Sequence, residues 1–369
     1  MKKYLLGSFI LVLSLIIPDN EAFAKKQKPL IWDMTELEQL KHNINSESAH
    51  DIIITANKYI SLEPVVVTDK KKTFAPNNHY YCSVGIYWWP DPARPGKYIQ
   101  KDGVTNPESM EYDGVRLSEL GKRCVFLSKA FYLTRNKQFF NAFVSQIKAW
   151  FIDEGTYMLP NFEYTQVIPG DNNNKGRRTG FIDAYGFNAV LESIRLTNSV
   201  KKIDKKTMRA LQCWFYDFAE WCENNYGIEL SKENNNISLS YDVTMIDMYI
   251  FANKKEKAMT LAESFAEKRI ITQINEDGSQ PAELKRTKAF TYSVANLSQI
   301  IDFCYLVRYW DKNYYDKYGE RVERAFEYLQ TFSDDPSTFP YKQMTEWNSS
   351  IESFNVQKQR RNVLKSRTR

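Results

Sequence analysis

Leu117-Ser118-Glu119-Leu120-Gly121-Lys122-Arg123-Cys124-Val125-Phe126-Leu127-Ser128-Lys129-Ala130-Phe131 sets the fold class. Leu117, Leu120, Cys124, Leu127 and Phe131 recur at three- and four-residue spacing, the period of one buried helix face. Phe140, Phe143, Ile147, Trp150 and Phe151 repeat the pattern, and further apolar stripes cover 208–222, 243–251, 258–274, 294–310 and 321–332. Strand signals are scarce, with Pro64-Val65-Val66-Val67-Thr68 the clearest. Successive helices of moderate length joined by loops predict an all-α fold of antiparallel hairpins stacked side by side, in a solenoid or a closed ring.

The first residues read differently. Met1-Lys2-Lys3, the apolar run from Tyr4 to Pro18 and the small-x-small Ala22-Phe23-Ala24 predict a secretory signal peptide over 1–24, cleaved after Ala24, and a periplasmic or secreted product. No later segment reaches about 18 consecutive apolar residues, so no integral membrane association is expected. No linker or composition shift divides the rest, which reads as one domain over 25–356 followed by a basic tail over 357–369 that is solvated or frayed. A net charge of +5 is too modest and too concentrated in that tail to indicate a nucleic-acid partner, though it suits encounter with a polyanion. The chain carries 23 Tyr, 22 Phe and 8 Trp, rings that stack on sugars and fill cores equally well. Five cysteines sit mostly inside helical patterns and read as buried thiols, with one disulfide permitted by the compartment. Three histidines without a Cys/His pattern, and no Asp-rich calcium loop, leave neither a metal nor another cofactor expected.

Four stretches break the helical background. His79 to Pro92 packs Tyr80, Tyr87, Trp88 and Trp89 into a loop that its prolines keep from being helical, either as platforms for an extended ligand or as a lid clamped to the core. Asn161 to Gly170, followed by Gly176-Arg177, offers Gln166 as an amide and Arg177 as a cation for an acidic ligand. Asn234-Asn235-Asn236 precedes a helix that carries Tyr241, where asparagines serve as caps or as uncharged donors. Asp277-Gly278 and Pro281 end one helix, and a new one begins near Ala289, which puts Arg286 on a loop and Tyr292 in the first turns of a helix. A guanidinium beside a phenol favours the phenolate and so lowers its pKa; the plainer alternative is a surface Arg next to a core ring.

In one order along the chain, Tyr87-Trp88-Trp89-Pro90-Asp91-Pro92 with Asp102-Gly103 and Asn106-Pro107-Glu108, Asn161 to Gly170 with Gly176-Arg177, Asn235-Asn236, and Asp277-Gly278 to Thr287 resemble the alginate lyase family, with its polysaccharide lyase family 5 and 38 relatives. The resemblance implies an incomplete (α/α) toroid around a cleft for uronate polymers, and β-elimination across C4 and C5. It implies Asn236 as the amide that neutralises the uronate carboxylate, Arg286 as the arginine of the Glu-Leu-x-Arg-Thr motif, and Tyr292 as the proton donor to the leaving oxygen and, in syn elimination, the base at C5. Substrate binding is assigned to Asn235, His79, Tyr80, Tyr87, Trp88, Trp89, Gln166, Arg177 and Tyr241, and the partner is an acidic polysaccharide or oligosaccharide. One position departs. Ile237 stands where the family carries a histidine, which serves as base in anti elimination; reading the triple Asn one place over puts Asn236 there instead. Two functions follow as expectations: a lyase restricted to syn elimination on mannuronate or glucuronate, or an impaired protein that captures acidic oligosaccharides. His79 is a candidate to replace the lost imidazole, against the plainer reading of a loop histidine bonded to backbone.

Overall fold

The computed structural model describes residues 28–366; the signal peptide expected over 1–24 lies outside them. Among the described residues, no helix is long and apolar enough to cross a membrane. Two helices, α1 (Met34–His42) and α2 (Glu47–Ile60), precede the loop region and are capped by Asp33 and Ser46, whose side chains accept from the first-turn amides. The stripe at 117–131 falls within α3 (Asp113–Thr134), which pairs with α4 (Lys137–Phe151). Then come α5 (Gly186–Val200), α6 (Lys205–Cys222), the one-turn α7 (Ile228–Leu230), α8 (Asn236–Phe251) and α9 (Lys255–Glu263). The last group is α10 (Pro281–Leu284), α11 (Ala289–Val307), α12 (Tyr314–Tyr318), α13 (Glu320–Asp334) and α14 (Trp347–Ser366).

The helices alternate between two layers. Helices α3, α5, α8 and α11 pack side by side in that order, while α4, α6, α9 and α13 return outside them. This is an incomplete (α/α) toroid. Each inner helix is entered from the same side, so the four inner N-termini, at Asp113, Gly186, Asn236 and Ala289, gather on one face with their positive dipole ends. Of the inner helices, α8 and α11 are buried nearly all round, while α3 keeps an exposed face with Val115, Ser118 and Lys122. In α8 every residue except Ile237 is buried. Buried charges on these helices are paired: Arg195 with Glu192 at 2.8 Å and with Asp247 at 2.6 Å, and Asp242 with Arg269 at 2.7 Å. Most of the aromatic load goes into the core. Phe151, Phe187, Trp214 and Phe218 form one ring-on-ring cluster between α4, α5 and α6.

Two short sheets lie on the face with the inner N-termini. Strands β1 (Cys82–Val84) and β4 (Tyr164–Val167) run parallel, and β2 (Trp88–Pro90) and β3 (Tyr98–Gln100) form an antiparallel hairpin that pairs Trp89 with Ile99.

Three expectations are corrected. Pro64 to Thr68 is not a strand: the backbone N–H and C=O of Val65 pair with the Gln146 side chain at 3.0 and 2.8 Å, and Val67–Asp69 is a 3-10 turn. The described part of the basic tail, Gln357 to Ser366, is not frayed. Helix α14 runs through Gln357 without a break, buries Phe354, Gln357 and Leu364 against the molecule, and joins Arg360 to Asp302 on α11 at 2.5 Å. All five cysteines are free, Cys213 half-buried and the others buried, so the permitted disulfide does not form.

Candidate active site

The site is assembled where the β2–β3 hairpin meets the start of α11. Gly278 adopts φ +85°, and a Cβ there would lie 2.1 Å from the Arg324 carbonyl oxygen, so only glycine fits this turn. Pro281 then opens the short α10, and the buried Gln280 ties it to α11 by donating to the Ser293 carbonyl at 3.2 Å and accepting from Asn296 at 2.9 Å. Arg286 lies on the connecting loop and Tyr292 in the first turn of α11, as their spacing predicts. The guanidinium carbon sits 4.1 Å from the Tyr292 ring centroid.

Arg286 is itself held. Asp102, beyond β3, accepts from its Nη2 at 2.8 Å and its Nε at 3.3 Å, and also from the backbone and hydroxyl of Thr287 at 3.2 and 3.0 Å. These donors, Arg286 foremost, hold the Asp102 carboxyl down at about 2. Gly103 follows at φ +78° against Thr287, where a Cβ would come within 2.5 Å of the hydroxyl oxygen. The clamp carries Tyr87 onto Tyr292: the two hydroxyls are 2.8 Å apart. Burial and the Tyr87 hydroxyl push the Tyr292 phenol above its ordinary value, against the pull of Arg286. The expected lowering by Arg286 is thus outweighed, because half-burial penalises the phenolate and Asp102 offsets the cation.

Asn236 opens α8, with Asn235 as its cap accepting from Ile237 N–H at 2.9 Å. Arg269 positions this entry by donating to the Glu233 carbonyl at 2.8 Å. The Asn236 backbone and Nδ2 both donate to Glu283 on α10, each at 3.0 Å. Ile237 is half-buried beside it, against the core.

The third group is built on Asp183, at the entry to α5. Its carboxylate accepts from Ser83 at 2.7 Å, Gln166 Nε2 at 2.8 Å and Tyr81 at 3.0 Å. Gln166 has φ 46°, a left-handed conformation uncommon outside glycine, and its Oε1 accepts from Arg177 at 3.1 Å. Arg177 in turn faces the Trp88 ring at 5.6 Å, and Gly85 leaves room for both: a Cβ there would lie 2.5 Å from Trp88. Trp89 is pinned by its indole N–H to the Val104 carbonyl at 2.9 Å, under Lys101.

Tyr87, Tyr292, Arg286 and Asp102 therefore form one contact group, Asn236 and Glu283 a second, and Gln166, Arg177, Trp88 and Asp183 a third. Three expected residues stand apart. Tyr241 is 2% exposed, with its ring edge-on to Phe181 in the core, because its turn of α8 faces inward on every side. His79 spends its Nδ1 on the Tyr157 carbonyl at 2.7 Å and packs on the Tyr157 ring, the plainer of its two readings. Tyr80 packs edge-on against Tyr164 in the small cluster beneath β1 and β4. Asp102 and Glu283 lie inside motifs quoted from the sequence, yet nothing local to either assigns it a partner 184 or 47 residues away.

Residues 66–339 match the alginate lyase family. A search of curated proteins finds no match. Among solved structures, an alginate lyase from Bacteroides ovatus is similar, with 29% identity and a TM-score of 0.86 over 92% of this chain and 93% of that one. The family match spans well over half of the sequence and includes the hairpin, the Asp183 group, Asn236, Arg286 and Tyr292; the chain belongs to the alginate lyase family.

Proposed function

We propose that this protein is an exported polysaccharide lyase that cleaves a mannuronate- or glucuronate-containing polymer by syn β-elimination. The observation that carries the reading is the Tyr292 hydroxyl, held at 2.8 Å from a second phenol with a guanidinium against its ring. In the reaction, Tyr292 oxygen takes the C5 proton, the C5 electron pair forms the C4=C5 double bond, and the C4–O bond breaks. The departing oxygen then receives the proton from Tyr292. A phenol whose pKa lies above its ordinary value is neutral at rest and suited to the donor step. The acceptor step runs from the phenolate, so the resting phenol first releases its proton to solvent; the Tyr87 hydroxyl then donates to the phenolate oxygen and Arg286 favours its charge.

The carboxylate beside C5 must be neutralised as negative charge develops. Arg286 offers this through Nη1, since Nε and Nη2 are taken by Asp102. Asn236 offers an uncharged amide at a helix N-terminus, where the backbone dipoles also favour an anion. Ile237 supplies no base on the opposite face of the sugar, so L-guluronate is expected to be a poor substrate. The same residue supports the second reading, a cleft that retains acidic oligosaccharides without turnover. Absorbance of the unsaturated product, followed with polymannuronate, polyguluronate, glucuronan and hyaluronan, separates the two. Product from mannuronate or glucuronate polymers supports the lyase. A flat trace on all four, with measurable binding to one, supports the capture protein.

A further inference from the structure

Glu283 is 2% exposed, yet it bears a carboxyl on a four-residue helix directly behind the site. Both its oxygens are used on a single residue: Oε1 accepts from the Asn236 backbone and Oε2 from the Asn236 side chain, each at 3.0 Å. A two-point grip on one asparagine fixes both the first turn of α8 and the rotation of the amide. With one Nδ2–H held by Glu283, the amide's other N–H and its oxygen have a set direction. Asn235 steadies the same turn independently of Glu283, its side chain taking the Ile237 N–H and its carbonyl the Ser238 and Leu239 N–H groups. Removing Glu283 therefore leaves the helix start in place and frees the amide to turn.

We propose that Glu283 is a positioning residue that sets the Asn236 amide toward the substrate carboxylate, and that ionisation of Glu283 is required for this. The inference rests on the lyase reading above and adds a pH dependence to it. As a carboxylate, Glu283 accepts both N–H bonds. Once protonated, one oxygen becomes a donor and the two-point grip on Asn236 is broken. Burial raises the Glu283 carboxyl to about 7, while the Asn236 donors and the Arg286 charge draw it down. Arg286 is the charge that faces it from its own segment. On α8, Asn236 and Ile237 bring no charge, and Asp242 further along is neutralised by Arg269. The α11 residues bonded to this segment, Ser293 and Asn296, bring no charge, and Tyr292, in contact with Arg286, is neutral in this range. Because Ile237 replaces an imidazole, no histidine on α8 masks this titration.

The test is kcat and KM on polymannuronate from pH 5.5 to 9, for the wild type, Glu283→Gln, Asn236→Ala and the double variant. The expected wild-type profile has an acid limb in kcat near pH 7. Glu283→Gln loses that limb and falls about tenfold in kcat above it, the effect of misplacing one group by about 1.4 kcal/mol. The double variant is no slower than Asn236→Ala alone, since Glu283 acts through Asn236. An unchanged limb and kcat in Glu283→Gln, whatever happens to its melting temperature, overturns the positioning role and leaves the lyase reading intact. If Glu283→Gln does not fold, Asn236→Ala decides: losing the limb supports the inference and keeping it overturns it. If the wild type forms no unsaturated product, the lyase reading fails. The positioning claim is then read from binding of an oligomannuronate: loss of affinity below pH 7 that Glu283→Gln abolishes supports it, and identical profiles overturn it.

Discussion

Arg286 shows how a residue legible in sequence acquires a different role in its surroundings. Its distance from Tyr292 along the chain places it correctly on a loop before a helix, but the sign of its effect depends on Asp102, which comes from a hairpin that sequence spacing does not connect to it. The phenol ends above its ordinary value because burial outweighs a cation that is already paired. Asp102→Asn is expected to keep the fold and lower kcat/KM about tenfold, the loss of an orientation worth about 1.4 kcal/mol. Steady-state kinetics on the best polymer checks it, and an unchanged kcat/KM would mean that Arg286 needs no holding. Ile237→His is the complementary gain: placing an imidazole at the only residue of α8 that is not fully buried should raise activity on polyguluronate relative to polymannuronate. Tyr241 and His79 mark the limit of residue-level reading. Both lie in motif-bearing stretches, but the direction of a side chain is set by packing, and theirs point to Phe181 and to the Tyr157 carbonyl.

Among the elements, the helices whose apolar residues recur without interruption at helical spacing are the ones legible in the sequence. Helices α3, α4, α6, α8, α9, α11 and α13 all fall on predicted stripes. Helix α5 lies on no stripe read from the sequence, because the buried Asn188, Glu192 and Arg195 interrupt its apolar residues. Helix α14 hides for the opposite reason. Its inward face alternates Ser350 and Gln357 with Phe354 and Leu364, a polar-looking line that reads as a tail. The β2–β3 hairpin is the element on which the site depends, since it brings both Asp102 to Arg286 and Tyr87 to Tyr292. Gly103→Ala tests that dependence: a Cβ at φ +78° that meets the Thr287 hydroxyl must displace the clamp. The expected result is a rise in KM and a fall in kcat together, with the helical circular dichroism unchanged. Retention of both constants would show that the hairpin is not needed in this position.

For the whole molecule, the toroid is held together by buried charge as well as by apolar packing. Glu192 on α5 accepts from the backbone N–H groups of Leu30, Ile31 and Trp32 at 3.0, 2.8 and 2.8 Å while paired with Arg195. Glu192→Ala leaves three amides unpaired and takes from Arg195 one of its two carboxylate partners, Asp247 remaining, and is expected to cost about 3–5 kcal/mol of stability, measured by denaturant unfolding. Stability should also depend on pH in a definite direction. Burial raises Asp113 and Glu283 to about 7, so the folded chain keeps protons that the unfolded chain releases near pH 4. Between about pH 4 and 7 these groups lower stability as pH rises, and Glu283→Gln should flatten that slope in a melting-temperature series. Asp102 works the other way. Its depressed pKa gives stability that is present above pH 4 and lost as pH falls toward 2.

The central claim is that Tyr292 carries the proton in a β-elimination. Its most direct test is the absorbance of the unsaturated product formed from polymannuronate by the purified wild type and by Tyr292→Phe, side by side. The account predicts steady growth with the wild type and a loss of about a hundredfold or more with the variant, the range of a positioned acid–base group. Equal rates from both proteins would contradict it, because the proton would then be moving through some other residue.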